Sequence, residues 1–255
     1  MLLAHEVTGP PDSPVLVLGG SLGTTRAVWR PQVTVLSRWM RVVVYDHRGH
    51  GLSPVPAGPY DIADLGHDLV DLLDHLGLDR VHYGGLSLGG MVGMWLAAHR
   101  PERVDRLALL CTAAYLPPPE VWLARAAHVR AHGPGSLAET LVDRWFTADF
   151  VRSRRADVIA PLVADLTSTP GEGYAGCCEA IAAMDLRPVL PAITAPTLVI
   201  AGADDPATPP EHARVVSAAV ADARLEILGR AAHLANVQRP TAVTALLREH
   251  CLGER

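Results

Sequence analysis

Short apolar runs recur along the chain, each followed by a Gly- or Asp-bearing turn and then an amphipathic stretch. The runs fall at residues 15–18, 42–45, 81–83, 107–110, 198–200 and 225–228. In the middle runs apolarity is continuous rather than alternating, as strands covered by helices on both faces require. Helical candidates lie between them, at residues 27–38, 62–76, 91–100, 210–221 and, behind Pro240, 241–251. This alternation predicts an α/β fold built on a mostly parallel, doubly wound sheet.

The rhythm breaks between about residues 115 and 187, where no strand-like run occurs and helix-like segments predominate. Pro117-Pro118-Pro119 opens this region and Arg187-Pro188 closes it. The expectation is a helical cap at 117–186, inserted between core segments 1–116 and 187–255. The plainer alternative is a small helical domain with no role at a site, although lids over sheet-edge clefts are common. One stretch, 81–99, carries no Asp, Glu, Lys or Arg and is long enough to cross a bilayer. Its five glycines and two histidines point instead to a strand at 81–83, a turn at 84–90 and a helix at 91–100 stopped by Pro101.

Composition narrows the chemistry. The chain has 255 residues, 49% hydrophobic and 19% charged, which suits one globular domain with an insertion and a sizeable core. Every one of the 22 cationic side chains is Arg. Without Lys, a P-loop, a Schiff base and a Ser-Lys dyad are excluded. A net charge of −5 with scattered Arg gives no footprint for nucleic acid or an anionic membrane, so small solutes are the expected partners, and oligomeric state stays open. The four cysteines (Cys111, Cys177, Cys178, Cys251) follow no C-x-x-C spacing, and the first residues lack the regions of a signal peptide. Reduced thiols in a cytoplasmic protein are therefore expected, with no metal and no cofactor.

The sharpest signal is Gly85-Leu86-Ser87-Leu88-Gly89, directly after a strand and before a helix. This is the context in which G-x-S-x-G forms a nucleophile elbow: a serine on a strained turn, with small neighbours because nothing larger fits. Such a serine needs a base and an orienting acid, in the order Ser, Asp, His. Gly202-Ala203-Asp204-Asp205-Pro206 follows one strand and Gly229-Arg230-Ala231-Ala232-His233 the next. His233 is the expected base and Asp205 the orienter; Asp204 is its rival, though the G-x-x-D spacing and Pro206 favour Asp205. The oxyanion donors are expected to be the N–H of Leu88 and, from the Gly19-Gly20-Ser21-Leu22-Gly23 loop, that of Leu22. Other polar clusters weigh less. His47 and His50 lack an acidic or thiol partner for a metal, and Arg48 between them is expected to hydrogen-bond backbone. His128 and His132 suit a solvated helix face, and Cys177-Cys178 packed thiols.

Elbow, ordered triad and cap together resemble the α/β-hydrolase superfamily. Further segments are similar to the 3-oxoadipate enol-lactonases of aromatic degradation by the β-ketoadipate pathway. These are Gly85 through Gly90-Met91, Cys111-Thr112-Ala113-Ala114 with Pro119-Glu120-Val121-Trp122, Tyr174 through Cys178-Glu179-Ala180-Ile181 to Asp185-Leu186-Arg187-Pro188, and Gly202 to Pro209. The likeness covers nearly the whole chain, and the cap segments carry the specific assignment. Two departures stand out. The oxyanion loop commonly reads Asn-Ser-Leu-Gly in such enzymes and has Gly20 here, and the decarboxylase fused to some members is expected to be absent. The resemblance implies a serine hydrolase that opens a five-membered enol-lactone to 3-oxoadipate. The substrate's carboxymethyl arm must then meet Arg, His, an aromatic N–H or backbone donors. Trp122, Arg125, Arg144 and Trp145 are the cap residues expected to receive it, and each could equally be structural. Another esterase or carbon–carbon bond hydrolase of the same fold, or a non-catalytic receptor, remain as alternatives.

Overall fold

The computed structural model describes residues 1–253, and of Arg155 the backbone alone. Seven strands form one sheet: β1 (His5–Thr8), β2 (Val15–Gly19), β3 (Arg41–Tyr45), β4 (Val81–Leu86), β5 (Val104–Leu110), β6 (Thr197–Gly202) and β7 (Ala223–Leu228). Their order is β1-β3-β2-β4-β5-β6-β7. β1 runs antiparallel to β3, and all other neighbours are parallel. Each of the six apolar runs lies in one of β2 to β7. β1 escapes the hydrophobic pattern because it is an edge strand with three of its four residues exposed.

Core helices are α1 (Arg30–Leu36), α2 (Ile62–His75) and α3 (Leu88–His99). A capping box between Asp61 and Asp64 starts α2, whose Leu65, Leu69, Leu72 and Leu73 are buried. Residues 88–97 of α3 are all buried, so this helix is apolar around its whole circumference. The charge-free stretch is thus the central strand β4 and the helix behind it, and no helix among the described residues is long and apolar enough to cross a membrane. Two details differ from expectation. The turn expected over 84–90 is the single residue Ser87, because β4 continues to Leu86 and α3 begins at Leu88. The helix expected at 27–38 divides into a 3₁₀ turn, Arg26–Trp29, and α1, with Pro31 tolerated in the first turn of α1.

Between β5 and β6 lie five α-helices, α4 (Pro119–His132), α5 (Ala138–Trp145), α6 (Ala148–Arg154), α7 (Ala160–Ser168) and α8 (Gly171–Ala183), with shorter 3₁₀ and π turns between and after them. α4 and α8 pack together, and Arg130 joins them through hydrogen bonds to Glu172 and Glu179. The two stems of this insertion meet in a β-bridge between Tyr115 and Asp185, with the Arg187 guanidinium 4.1 Å from the centre of the Tyr115 ring. Three helices complete the core: α9 (Pro210–Ala219), α10 (Ala235–Gln238) and α11 (Pro240–Leu252).

Candidate active site

Ser87 sits between β4 and α3 with φ 54° and ψ −111°, a region that L-residues rarely adopt. The surroundings hold it there. Its N–H donates to the Leu110 carbonyl (2.8 Å), and its own carbonyl accepts from Thr112 Oγ1 (2.7 Å) and the Met91 N–H (3.0 Å). The flanking glycines have steric reasons. A Cβ at Gly85 would lie 2.2 Å from the Gly89 oxygen, and one at Gly89 would lie 2.3 Å from the Gly19 oxygen. The elbow therefore closes only where side chains are absent on both sides.

Asp205 and His233 come from the loops that follow β6 and β7, neighbouring strands, so both reach the same end of the sheet. His233 Nδ1 lies 2.9 Å from Asp205 Oδ2. Asp205 also accepts from the N–H groups of Ala207 (2.8 Å) and Thr208 (3.0 Å) and from Thr208 Oγ1 (2.7 Å). Burial works to raise the Asp205 pKa, but the charge and hydrogen bond of His233 and the Thr208 donors outweigh it and hold the carboxyl below its usual range. Asp204, by contrast, is exposed and makes only a backbone bond to Ala231 near this site. The sequence missed Thr208 and Ala207; an Asp followed by Thr three residues on is the turn signal that could have found them.

Around the two expected oxyanion donors, neighbouring amides are already engaged. The Ser21 N–H donates to Thr24 Oγ1 (3.0 Å), the Gly23 N–H to His50 Nε2 (2.9 Å) and the Gly89 N–H to the Gly20 carbonyl (2.9 Å). The Leu22 and Leu88 amides have no such partner among the described residues. Gly20 thus supplies, through its carbonyl, a tie from the loop to the elbow that needs no Asn side chain.

Ser87, His233, Leu22, Thr208, Trp122, Arg125, Arg144 and Trp145 all line one cavity, with about 510 Å³ of space between protein atoms, part of it open to solvent. The cap forms its roof. Arg125 Cζ stacks 4.7 Å from the centre of the Trp122 ring, and the carbonyls of Arg144 and Trp145 accept from the His233 (3.4 Å) and Leu234 (3.0 Å) amides. Trp145 is buried, whereas Arg144 is largely exposed. Tyr174 of α8, unnoticed as a site residue, also lines the cavity, and its buried hydroxyl has no hydrogen-bond partner among the described residues.

Other expectations resolve as follows. Arg48 bonds the Asp64 carbonyl (3.0 Å), but its main partner is the buried Asp68 carboxylate (2.5 Å). His128 and His132 are exposed on α4 with rings stacked 4.6 Å apart. All four cysteines are free and buried, and burial raises the pKa of each thiol.

Comparison with known proteins agrees with this architecture. The family model described as the alpha/beta hydrolase fold matches residues 13–240. The chain is 40% identical to 3-oxoadipate enol-lactonase 2 of Acinetobacter baylyi over 94% of its length and 89% of that protein. It is 31% identical to RutD of Stutzerimonas stutzeri, named as a candidate carbamate hydrolase, over 94% of this chain and 92% of that one. Among solved structures, the enol-lactonase from Burkholderia xenovorans LB400 superposes with a TM-score of 0.95 at 42% identity, covering 99% of this chain and 96% of that one. The chain belongs to the α/β-hydrolase family, as a carboxylic ester hydrolase similar over nearly its whole length to the 3-oxoadipate enol-lactonases.

Proposed function

We propose that this enzyme opens 3-oxoadipate enol-lactone to 3-oxoadipate in the β-ketoadipate pathway, through Ser-His-Asp acyl-enzyme chemistry. The observation that carries the mechanism is the 2.9 Å bond between His233 Nδ1 and Asp205, in a cavity that also holds the strained Ser87. With Nδ1 engaged by the carboxylate, Nε2 is the nitrogen left to serve Ser87. It takes the hydroxyl proton as Ser87 Oγ adds to the lactone carbonyl. The Leu22 and Leu88 N–H groups receive the oxyanion. Collapse of the tetrahedral adduct breaks the ring C–O bond as the His233 imidazolium gives its proton to the departing enolate oxygen, leaving an enol tethered through the acyl chain and a neutral His233. His233 then activates water, the ester to Ser87 is cleaved, and the freed enol tautomerises to the ketone.

The substrate class rests on the cap at 117–186. Arg125 and Arg144 bring two cations to a cavity otherwise lined largely by apolar and aromatic groups, which suits a lactone bearing a carboxylate arm. Trp122 and Trp145 complete that wall.

The test is ultraviolet loss of the enol-lactone with purified protein, beside Ser87→Ala, and turnover of a simple aryl ester and a simple carbamate. Rapid lactone loss, abolished in Ser87→Ala and accompanied by slow ester cleavage, is expected. Ester or carbamate cleavage without lactone turnover would keep the triad and replace the substrate. Silence on all three would leave a non-catalytic receptor.

A further inference from the structure

Two buried histidines on the loop after β3 take no part in the chemistry above, yet they touch the oxyanion loop at both of its ends. His47 Nε2 lies 3.0 Å from the Gly20 carbonyl oxygen. A carbonyl only accepts, so this nitrogen carries the proton. At the other end the Gly23 N–H donates to His50 Nε2 (2.9 Å), so that nitrogen carries the lone pair, and His50 Nδ1–H is free to donate to the Arg48 carbonyl (3.2 Å). His47 thus carries a proton on Nε2, whereas His50 carries its own on Nδ1 and is neutral. Burial, with His50 beside it, drives the His47 pKa down to about 3, and burial lowers that of His50 too, which keeps this pattern at ordinary pH.

The two bonds bracket Leu22. One fixes an acceptor two residues before it, and the other fixes a donor one residue after it. The Gly20 oxygen held by His47 is the same atom that accepts from the Gly89 N–H, so the histidine supports the link between loop and elbow. Gly23, with φ +77°, has no room for a side chain, since a Cβ would lie 2.7 Å from Leu166 Cδ1 and 3.0 Å from the Tyr174 ring of the cap. The loop is therefore pressed between the cap and the histidines.

We propose that His47 and His50 are positioning residues that hold residues 20–23 so that the Leu22 N–H is already aimed at the oxyanion formed on Ser87. The proposal rests on the serine-hydrolase reading. Donors fixed in advance need no reorganisation as charge develops, so a loosened loop lowers kcat and leaves ground-state binding nearly unchanged.

The test compares His47→Leu and His50→Leu with His47→Gln and His50→Gln in the full chain. The Gln amide places a nitrogen and an oxygen near the position of Nε2, so it can donate to Gly20 or accept from Gly23; Leu does neither. Three quantities are read: kcat and KM on an aryl ester, Tm, and the Kd of an arylboronic acid. In that last measurement Ser87 Oγ adds to the trigonal boron, its proton passes to His233, and no group leaves, so a tetrahedral oxyanion mimic forms. Each Leu variant is expected to lose about tenfold to a hundredfold in kcat and in boronate affinity, with KM within about twofold, and each Gln variant to recover most of the loss. Should a Leu variant fail to fold, the Asn variant at that position, too short to reach the loop, takes its place.

Leu or Asn variants with wild-type kcat and boronate affinity, whatever their Tm, would overturn the proposal. So would Gln variants that recover nothing. A wild-type protein that forms no boronate adduct would remove the serine-hydrolase reading and the proposal with it, a result distinct from tight binding by every variant.

Discussion

Gly49 of the core and Gly173 of α8 meet backbone to backbone: a Cβ on Gly173 would stand 2.3 Å from the Gly49 Cα. The contact sets the height of the cap above the core, since neither chain can withdraw without lifting α8 off the histidine loop. Gly173→Ala is expected to cost about 1–3 kcal/mol by overpacking, which lowers Tm by several degrees in a protein of this size. Thermal unfolding of wild type and variant checks it, and an unchanged Tm would contradict the tight contact.

The two adjacent aspartates separate by geometry. Asp205 orients His233, while Asp204 points to solvent. Asp205→Asn is expected to lower kcat by about three to four orders of magnitude, the scale seen when a triad acid loses its charge and the base its tautomer. Asp204→Asn is expected to stay within about twofold, as surface changes usually do. Steady-state kinetics on any turned-over ester decides between them, and a reversed pattern would reassign the acid.

Acid lability should begin with histidine rather than with carboxylates. His47 titrates at about 3 when folded, against about 6.5 in an unfolded chain. Between those values the unfolded chain binds a proton that the folded one refuses, so stability is complete above about pH 6.5 and falls as pH drops. This ring alone contributes a slope of about 1.4 kcal/mol per pH unit in that window. The depressed Asp205 carboxyl adds its loss only below about pH 4, as pH falls through its folded value. Urea unfolding at pH 7, 6 and 5 should show the decline, and His47→Gln a shallower one. Equal slopes would contradict a buried neutral ring.

Arg125 stacks on Trp122 at the cavity wall, where a substrate carboxylate would arrive. Arg125→Ala is expected to raise KM for the enol-lactone by about tenfold to a hundredfold, the range for a hydrogen bond to a charged group. KM for an uncharged aryl ester should barely move. Equal KM changes for both substrates would make Arg125 a packing residue.

Much of this was legible in the sequence, for identifiable reasons. Strands β2 to β6 announce themselves because burial on two faces favours runs of apolar residues, and Ser87 because its turn excludes side chains at 85 and 89. β1 was hidden since an exposed edge strand needs no apolar code. Tyr174 was hidden because its place at the cavity depends on contacts between segments distant in sequence, whereas Thr208 had a local turn signal in its spacing from Asp205. Gly84 and Gly85 read as turn residues, yet their place in β4 reflects crowding by Leu18 and Gly89, which no local propensity encodes.

The bridge between Tyr115 and Asp185 brings the chain's exit from the core and its return to adjacent points. Everything between them is consequently one contiguous insertion. A replacement segment would have to match those two stems and also keep the backbone carbonyls that Arg144 and Trp145 offer to the His233 and Leu234 amides and the close approach of Gly173 to Gly49. A change confined to that segment would rebuild one wall of the cavity while the loops that bear Ser87, Asp205 and His233 stay part of the core.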